Sequence, residues 1–137
     1  MALASRVHTI TSLTPADLIA TASELARRFR PSDDCTSGDV AAALLTSSGH
    51  VYTGVCVDTA CSLGFCAEHA AIAEMLKARE SAIQLIVAVD STGAIGAPCG
   101  RCRELIWQVD PRNSTTRVIV GANETVSLAE LLPRRGA

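Results

Sequence analysis

The 137-residue chain is poor in aromatic side chains, with one tryptophan, one tyrosine and two phenylalanines. Phe29, Tyr52, Phe65 and Trp107 leave little material for a stacking surface. Charge of either sign is not in excess: 12 basic residues face 14 acidic ones, for a net charge of −2. This excludes a protein that coats DNA or RNA through bulk electrostatics, so no nucleic-acid partner is expected. No apolar run approaches the roughly 18–20 residues that span a bilayer, so no membrane partner is expected either. The opening residues, Met1 to His8, lack the basic-then-apolar layout of a secretory signal, which predicts a cytoplasmic protein. Repeats, low-complexity tracts and long linkers are missing too. Residues 1–137 therefore read as one domain.

Hydrophobic residues are abundant, at 48%, enough for a core that needs no disulfides. The six cysteines then read as metal ligands, catalytic groups or buried thiols. A first helix is predicted over residues 14–30. Thr14 caps it, Pro15 takes the first helical position, and Asp17 closes a near capping box. Leu18, Ala22, Leu25 and Phe29 repeat at helical spacing, and Pro31 stops the run. After a turn-like stretch from Ser32 to Gly38, Val40–Thr46 and Val51–Val57 flank a Ser-Ser-Gly turn and predict a β-hairpin. Residues 66–79 predict a helix that is apolar nearly all round and hence buried. Ile83–Val89 reads as a strand buried on both faces. A loop marked by Gly93, Gly96 and Pro98 leads to a helix from Cys99 to Val109, ended by Asp110-Pro111. Strands near Arg117–Val120 and Thr125-Val126 precede a short helix from Ser127 to Leu132. The element order predicts an α/β fold with a mixed sheet between helices, in three layers.

Two short segments carry the chemistry. Cys66-Ala67-Glu68 opens the second predicted helix, and Pro98-Cys99-Gly100-Arg101-Cys102 opens the third. A helix start carries partial positive charge, which favours the thiolate that binds zinc. Three cysteines from two helix starts can hold one zinc ion and leave the fourth tetrahedral position to water, the arrangement of a catalytic site. Water bound there has a pKa near 7. Glu68, two residues after the first ligand, is placed to take and return its proton. Each feature alone has a plainer reading. Cys-x-x-Cys also marks redox pairs, Cys66 can be packing in an alanine-rich helix, and Glu68 can simply favour the helix dipole. Cys61 is a conceivable fourth sulfur, which would make the domain a structural zinc module without chemistry. Cys35 has no assigned role, and His8 and His50 read as exposed.

Together the two segments resemble the zinc-dependent cytidine deaminases of the three-cysteine type. The resemblance runs from about residue 14 to Pro133. It includes Val40-Ala41-Ala42-Ala43-Leu44, Tyr52-Thr53-Gly54-Val55 and Glu130-Leu131-Leu132-Pro133. Pro98 to Arg103 is particularly similar to the blasticidin-S deaminases. The resemblance implies a three-layer α/β/α fold with a mixed five-stranded sheet. It implies zinc on Cys66, Cys99 and Cys102, with Glu68 shuttling protons while ammonia is released from a cytosine-like ring. The amide of Ala67 would hold the ring carbonyl. The substrate would be cytidine, deoxycytidine or a relative, within nucleoside salvage and pyrimidine metabolism. A free or modified base, or a cytosine-containing antibiotic, is the alternative. A homotetramer with active sites near subunit boundaries is also implied.

The departures from the family pattern are specific. Cys56-Val57-Asp58 stands where the family has Asn-x-Glu, which binds ribose. Asp58 keeps a carboxylate, whereas Cys56 gives up an amide's donor and acceptor. Gly38-Asp39 replaces a phenylalanine, and no aromatic follows Leu132-Pro133, so Phe65 and Trp107 become the candidates to line the pocket. Three thiolates on zinc leave a net charge of −1. Arg101, matching the blasticidin-type enzymes, is expected to offset it, with His69 the lesser candidate. Arg103 and Glu104 read only as helix or interface contacts.

Overall fold

The computed structural model describes residues 13–135. The expectations for Met1 to His8 lie outside them. Helix α1 spans Pro15–Leu25. Its predicted cap is present: the Thr14 hydroxyl accepts from Asp17 N at 3.2 Å, and the Asp17 carboxylate accepts from Thr14 N at 2.9 Å. The helix ends well short of residue 30, although the apolar spacing continues. The chain instead enters strand β1, Phe29–Ser32, which pairs antiparallel with strand β2, Cys35–Thr46. Two contacts hold it there. The Arg27 carbonyl lies where a Cβ on Gly38 would be, 2.0 Å away, and Arg28 Nε meets Asp39 Oδ1 at 2.8 Å. Phe29 is consequently 66% exposed rather than packed on the helix face.

Strand β3, Val51–Thr59, completes the predicted hairpin with β2. Both strands extend beyond the expected ends, because Cys35–Ser37 is strand rather than turn and is set off by a bulge before Ala41. A 3₁₀ turn at Ala60–Ser62 leads to helix α2, Ala67–Lys77. Then follow strand β4 (Ile83–Asp90), the two-residue strand β5 (Ile95–Gly96) and helix α3 (Gly100–Val109). A second 3₁₀ turn (Pro111–Thr115), strands β6 (Arg117–Gly121) and β7 (Glu124–Ser127) and helix α4 (Leu128–Leu131) complete the described chain.

The sheet core runs β3-β2-β4-β6-β7, five strands as expected, with β4 and β6 parallel and the other neighbours antiparallel. The short strands β1 and β5 add to the edges of β2 and β4, giving seven in all. Alternation along each strand sorts side chains to the two faces. Ala43, Leu45, Leu85, Val87 and Val89 pack under Leu18 and Ala22 of α1. Ala42, Leu44, Ile86 and Ala88 face Ala71, Ile72 and Met75 of α2, Ile106 of α3 and Leu128 of α4. The result is three layers. Because α2 lies in an outer layer, Ala73, Leu76 and Lys77 face outward, so this helix is not buried all round as its composition predicts. Asn113 locks the second 3₁₀ turn: its side chain accepts from Ile83 N at 2.8 Å and donates to the Ser81 and Ile106 carbonyls, each at 2.9 Å. Among the described residues no helix is long and apolar enough to cross a membrane.

Candidate active site

The starts of α2 and α3 meet on the same face of the sheet. Cys66 occupies the N-cap of α2 and Cys99 the N-cap of α3, and Cys102 lies one turn further along α3. Their sulfurs converge. Cys66 Sγ is 3.6 Å from Cys99 Sγ, and Cys99 Sγ is 3.5 Å from Cys102 Sγ. The Cys66 and Cys102 sulfurs lie within 4.8 Å of each other. Tetrahedral zinc with bonds of about 2.3 Å to sulfur requires sulfurs roughly 3.8 Å apart. The two separations about Cys99 are close to that spacing.

His69 joins the cluster: its Nδ1 is 3.4 Å from Cys102 Sγ, and Cys66, His69 and Cys102 form a set able to hold a metal. The side chain expected to tune charge therefore sits at ligand distance from one sulfur. Cys61, the conceivable fourth sulfur, is exposed in the first 3₁₀ turn at φ 60° and lies outside that set.

The local fields differ at each thiol. Burial opposes ionisation of Cys99, but the backbone N–H groups of Cys102 and Arg101 outweigh it and lower its pKa. Burial and the neighbouring Cys99 raise Cys66. Burial, with the Glu68 carboxylate close by, raises Cys102 strongly. A cation bound there would displace the protons that Cys66 and Cys102 retain, the behaviour expected of a metal site. Glu68 is 5% exposed, and burial lifts its carboxyl above the usual range, although the Cys102 thiol donates to it. Burial, followed by the charge of Arg101, lowers His69.

A cavity of about 710 Å³ opens beside this cluster, within the ordinary range for small-molecule sites. Cys66, Ala67, Glu68, Cys99 and Arg101 form one wall, and Cys56, Asp58 and Phe65 form another. His69 is not among the lining residues, so Glu68 and not the histidine meets the cavity. Ala67 is the first residue of α2, and its N–H has no partner within the helix. Cys56 is 6% exposed; its sulfur accepts from Val40 N at 3.3 Å and lies 3.5 Å from Asp58 Oδ2. Burial and the Asp58 carboxylate raise its pKa. Trp107 does not reach the cavity; the Arg135 guanidinium lies over its ring, 3.3 Å from the centroid.

Some lining residues have no motif to betray them. Asp39, in the bulged stretch of β2, and Asp90, the last residue of β4, bring two more carboxylates to the cavity. Thr59 lines it as well, and its hydroxyl oxygen is buried without a hydrogen-bond partner. The expectation that His50 is exposed fails: the ring is half-buried, and Nδ1 lies 2.7 Å from Glu80 Oε2, which also accepts from the Tyr52 hydroxyl. Thirty residues separate His50 from Glu80, so local sequence gives no hint of the pair.

The arrangement has counterparts among known proteins. Residues 14–122 match the family model for the cytidine and deoxycytidylate deaminase zinc-binding region. The cytidine deaminase of Mycobacterium tuberculosis superposes with a TM-score of 0.77 at 25% identity, over 92% of this chain and 99% of that one. That of Mycobacterium leprae gives 0.74 at 25% identity, over 90% and 100% of the two chains. That of Burkholderia pseudomallei gives 0.72 at 28% identity, over 90% and 100%. The matched segment holds both cysteine motifs, the buried glutamate and the cavity walls, and the chain belongs to the zinc-binding cytidine and deoxycytidylate deaminase family, as a zinc-dependent hydrolytic deaminase of cytidine-like substrates.

Proposed function

We propose that the chain removes the ring amine of cytidine or deoxycytidine, with Cys66, Cys99 and Cys102 holding the zinc ion and Glu68 moving the protons. The observation that carries this reading is Glu68: a nearly buried carboxylate that contacts a ligand thiol and still faces the cavity. Zinc in this position supplies an acidified water at neutral pH. The Glu68 carboxylate would take a proton from the attacking water and pass it to the ring nitrogen beside the amine; it would then take the second proton, from the added hydroxyl, and pass it to the amine, which leaves as ammonia while the hydroxyl becomes the ring carbonyl. Ala67 N–H donates to the ring carbonyl, and Phe65 covers the ring edge. His69 Nδ1 compensates charge at the Cys102 sulfur, while Arg101, exposed on the cavity wall, does so at longer range.

The cavity walls support an uncharged nucleoside over a nucleotide. Asp39, Asp58 and Asp90 all line the site, and a phosphate among three carboxylates would meet repulsion. Arg28 pairs with Asp39, and the Thr92 hydroxyl and the Thr92 and Ala94 N–H groups occupy one oxygen of Asp90. The Asp58 carboxylate accepts from the Cys56 thiol at 3.5 Å and keeps acceptor capacity for a sugar hydroxyl. Cys56 thus aims Asp58 rather than binding sugar with an amide. A second reading, a free or modified base or an antibiotic of the blasticidin-S type, is favoured by that same loss. A cationic substituent would also suit the acidic wall. Exposed Phe29, Leu63 and Phe65 support self-association near the site, which sedimentation would measure.

The decisive test is Glu68→Gln in zinc-loaded protein. Zinc content should persist while ammonia release falls by about 10²–10⁴-fold, the usual worth of a positioned acid/base. Normal turnover would overturn the proton-shuttle role. A substrate panel of cytidine, deoxycytidine, deoxycytidylate, cytosine and blasticidin S settles the second question. Activity on cytosine but not on the nucleosides would overturn the sugar reading of Asp58.

A further inference from the structure

We propose that Arg103 is a positioning residue for the zinc turn: it pins the carbonyl of Pro98, and through it Cys99, to the C-terminal helix. The Arg103 side chain bonds to two carbonyl oxygens, not to a sulfur, and does not line the cavity. Its two kinds of donor nevertheless hold two consecutive carbonyls at the start of α3. The main-chain N–H donates to Cys99 O at 3.0 Å, and the side-chain Nε donates to Pro98 O at 2.8 Å. Pro98 is buried and immediately precedes the ligand, so its carbonyl fixes the direction from which Cys99 enters the site. The remaining arm, Nη1, donates at 3.1 Å to Leu131 O, a carbonyl at the end of α4 with no helical acceptor role left to fill. One planar guanidinium therefore joins the zinc turn to a segment 33 positions after Pro98 in sequence. A lysine can reach one of the two carbonyls but cannot fork between them.

The same C-terminal segment has a second clasp. Arg135 Nε donates to Glu104 at 2.9 and 3.0 Å, and its guanidinium covers Trp107. This clasp docks the tail on α3 through Glu104 and Trp107, which makes it the control. The inference rests on zinc being held by Cys66, Cys99 and Cys102. Groups that orient a metal ligand typically change metal affinity by about 10–100-fold when lost.

The experiment loads wild type, Arg103→Met, Arg103→Lys and Arg135→Ala with zinc. Metal release to a chromogenic chelator is followed well below each melting temperature, with circular dichroism confirming the fold. Arg103→Met should release zinc about 10-fold faster or more. Arg103→Lys should fall between it and wild type, and Arg135→Ala should resemble wild type. Release from folded Arg103→Met at the wild-type rate overturns the inference, as does equal acceleration in Arg135→Ala, which would make the effect one of tail docking in general. Should Arg103→Met fail to fold, the lysine variant carries the same decision: release at the wild-type rate overturns the inference, and faster release supports it. Wild type that retains no zinc would instead refute the ligand assignment itself.

Discussion

Gly54 is where the sheet and the catalytic helix come closest, and replacing it with alanine tests how the fold sets the chemistry. An added Cβ would lie 2.4 Å from Ala71 N and 2.5 Å from Ala70 Cβ. Ordinary contact begins at 3.4 Å, so α2 must retreat by about 1 Å or β3 must buckle. The obstruction is backbone and the root of a short side chain, neither of which can swing aside. Gly54 is not among the positive-φ glycines, so the clash alone is tested, free of any left-handed strain. Overpacking of this kind costs about 1–3 kcal/mol. At 2 kcal/mol the melting temperature of a domain this size should fall by about 8 °C.

The functional cost should be larger. Helix α2 carries Ala67 and Glu68 and begins at Cys66, whereas Cys99 and Cys102 belong to α3. A retreat of α2 would shift the carboxylate relative to two of the three sulfurs, and a misplacement near 1 Å can cost about 10²-fold in rate. The assay pairs thermal melting of zinc-loaded protein with steady-state ammonia release, and kcat should drop more than KM rises. Gly54→Ala protein with unchanged melting temperature and unchanged kcat would refute the claim that helix placement on β3 limits the reaction.

Acid should weaken the fold through Glu80. The Tyr52 hydroxyl and His50 Nδ1 bond to its carboxylate at 2.5 and 2.7 Å, and despite burial they hold its pKa to about 2 from 4.5. A carboxylate depressed in the folded state contributes fully above its unfolded pKa, and the contribution disappears as pH falls from about 4.5 through about 2. Glu80→Gln should therefore cost roughly 2–3 kcal/mol near neutral pH and much less near pH 2, measured by urea titration at each pH; a difference that does not change with pH would count against the pair. Asn113→Ala should cost about 2–4 kcal/mol, since it strands the Ile83 N–H and removes two donated bonds in a buried site. Urea unfolding with a shift of only a few tenths of a kcal/mol would show that water replaces the amide.

The proposed ligands could be picked out in the sequence because their spacing is local. Cys66 and Glu68 are two residues apart, Cys99 and Cys102 three, and each pair sits at a helix start, the second marked by Pro98. Helix α1 shows the opposite case. Its apolar spacing runs on to Phe29, yet the pairing Phe29↔Ser37 and the Arg27 carbonyl against Gly38 decide the outcome, and both partners lie about ten residues away. The half-buried state of α2 is likewise set by its layer rather than its composition. Arg103 could have been noticed as the residue after a ligand. Its partner at Leu131, however, is defined only by how α4 packs.

A division of labour follows from the topology. The β4–α3–β6 crossover joins two parallel strands, and the short β5 pairs back along Ala88 and Val89, near the carboxyl end of β4, before α3 begins. That end also delivers Asp90 to the cavity, as the bulge of β2 delivers Asp39 and the end of β3 delivers Asp58 and Thr59. On the proposed reading, the metal ligands reside in two helix starts with fixed local spacing, while the walls that would meet the rest of the substrate come from separate strands. Such walls can change one residue at a time without disturbing the ligands. Cys56 and Asp58 lie in this changeable part, so a chain can keep the reaction and alter what it reacts with.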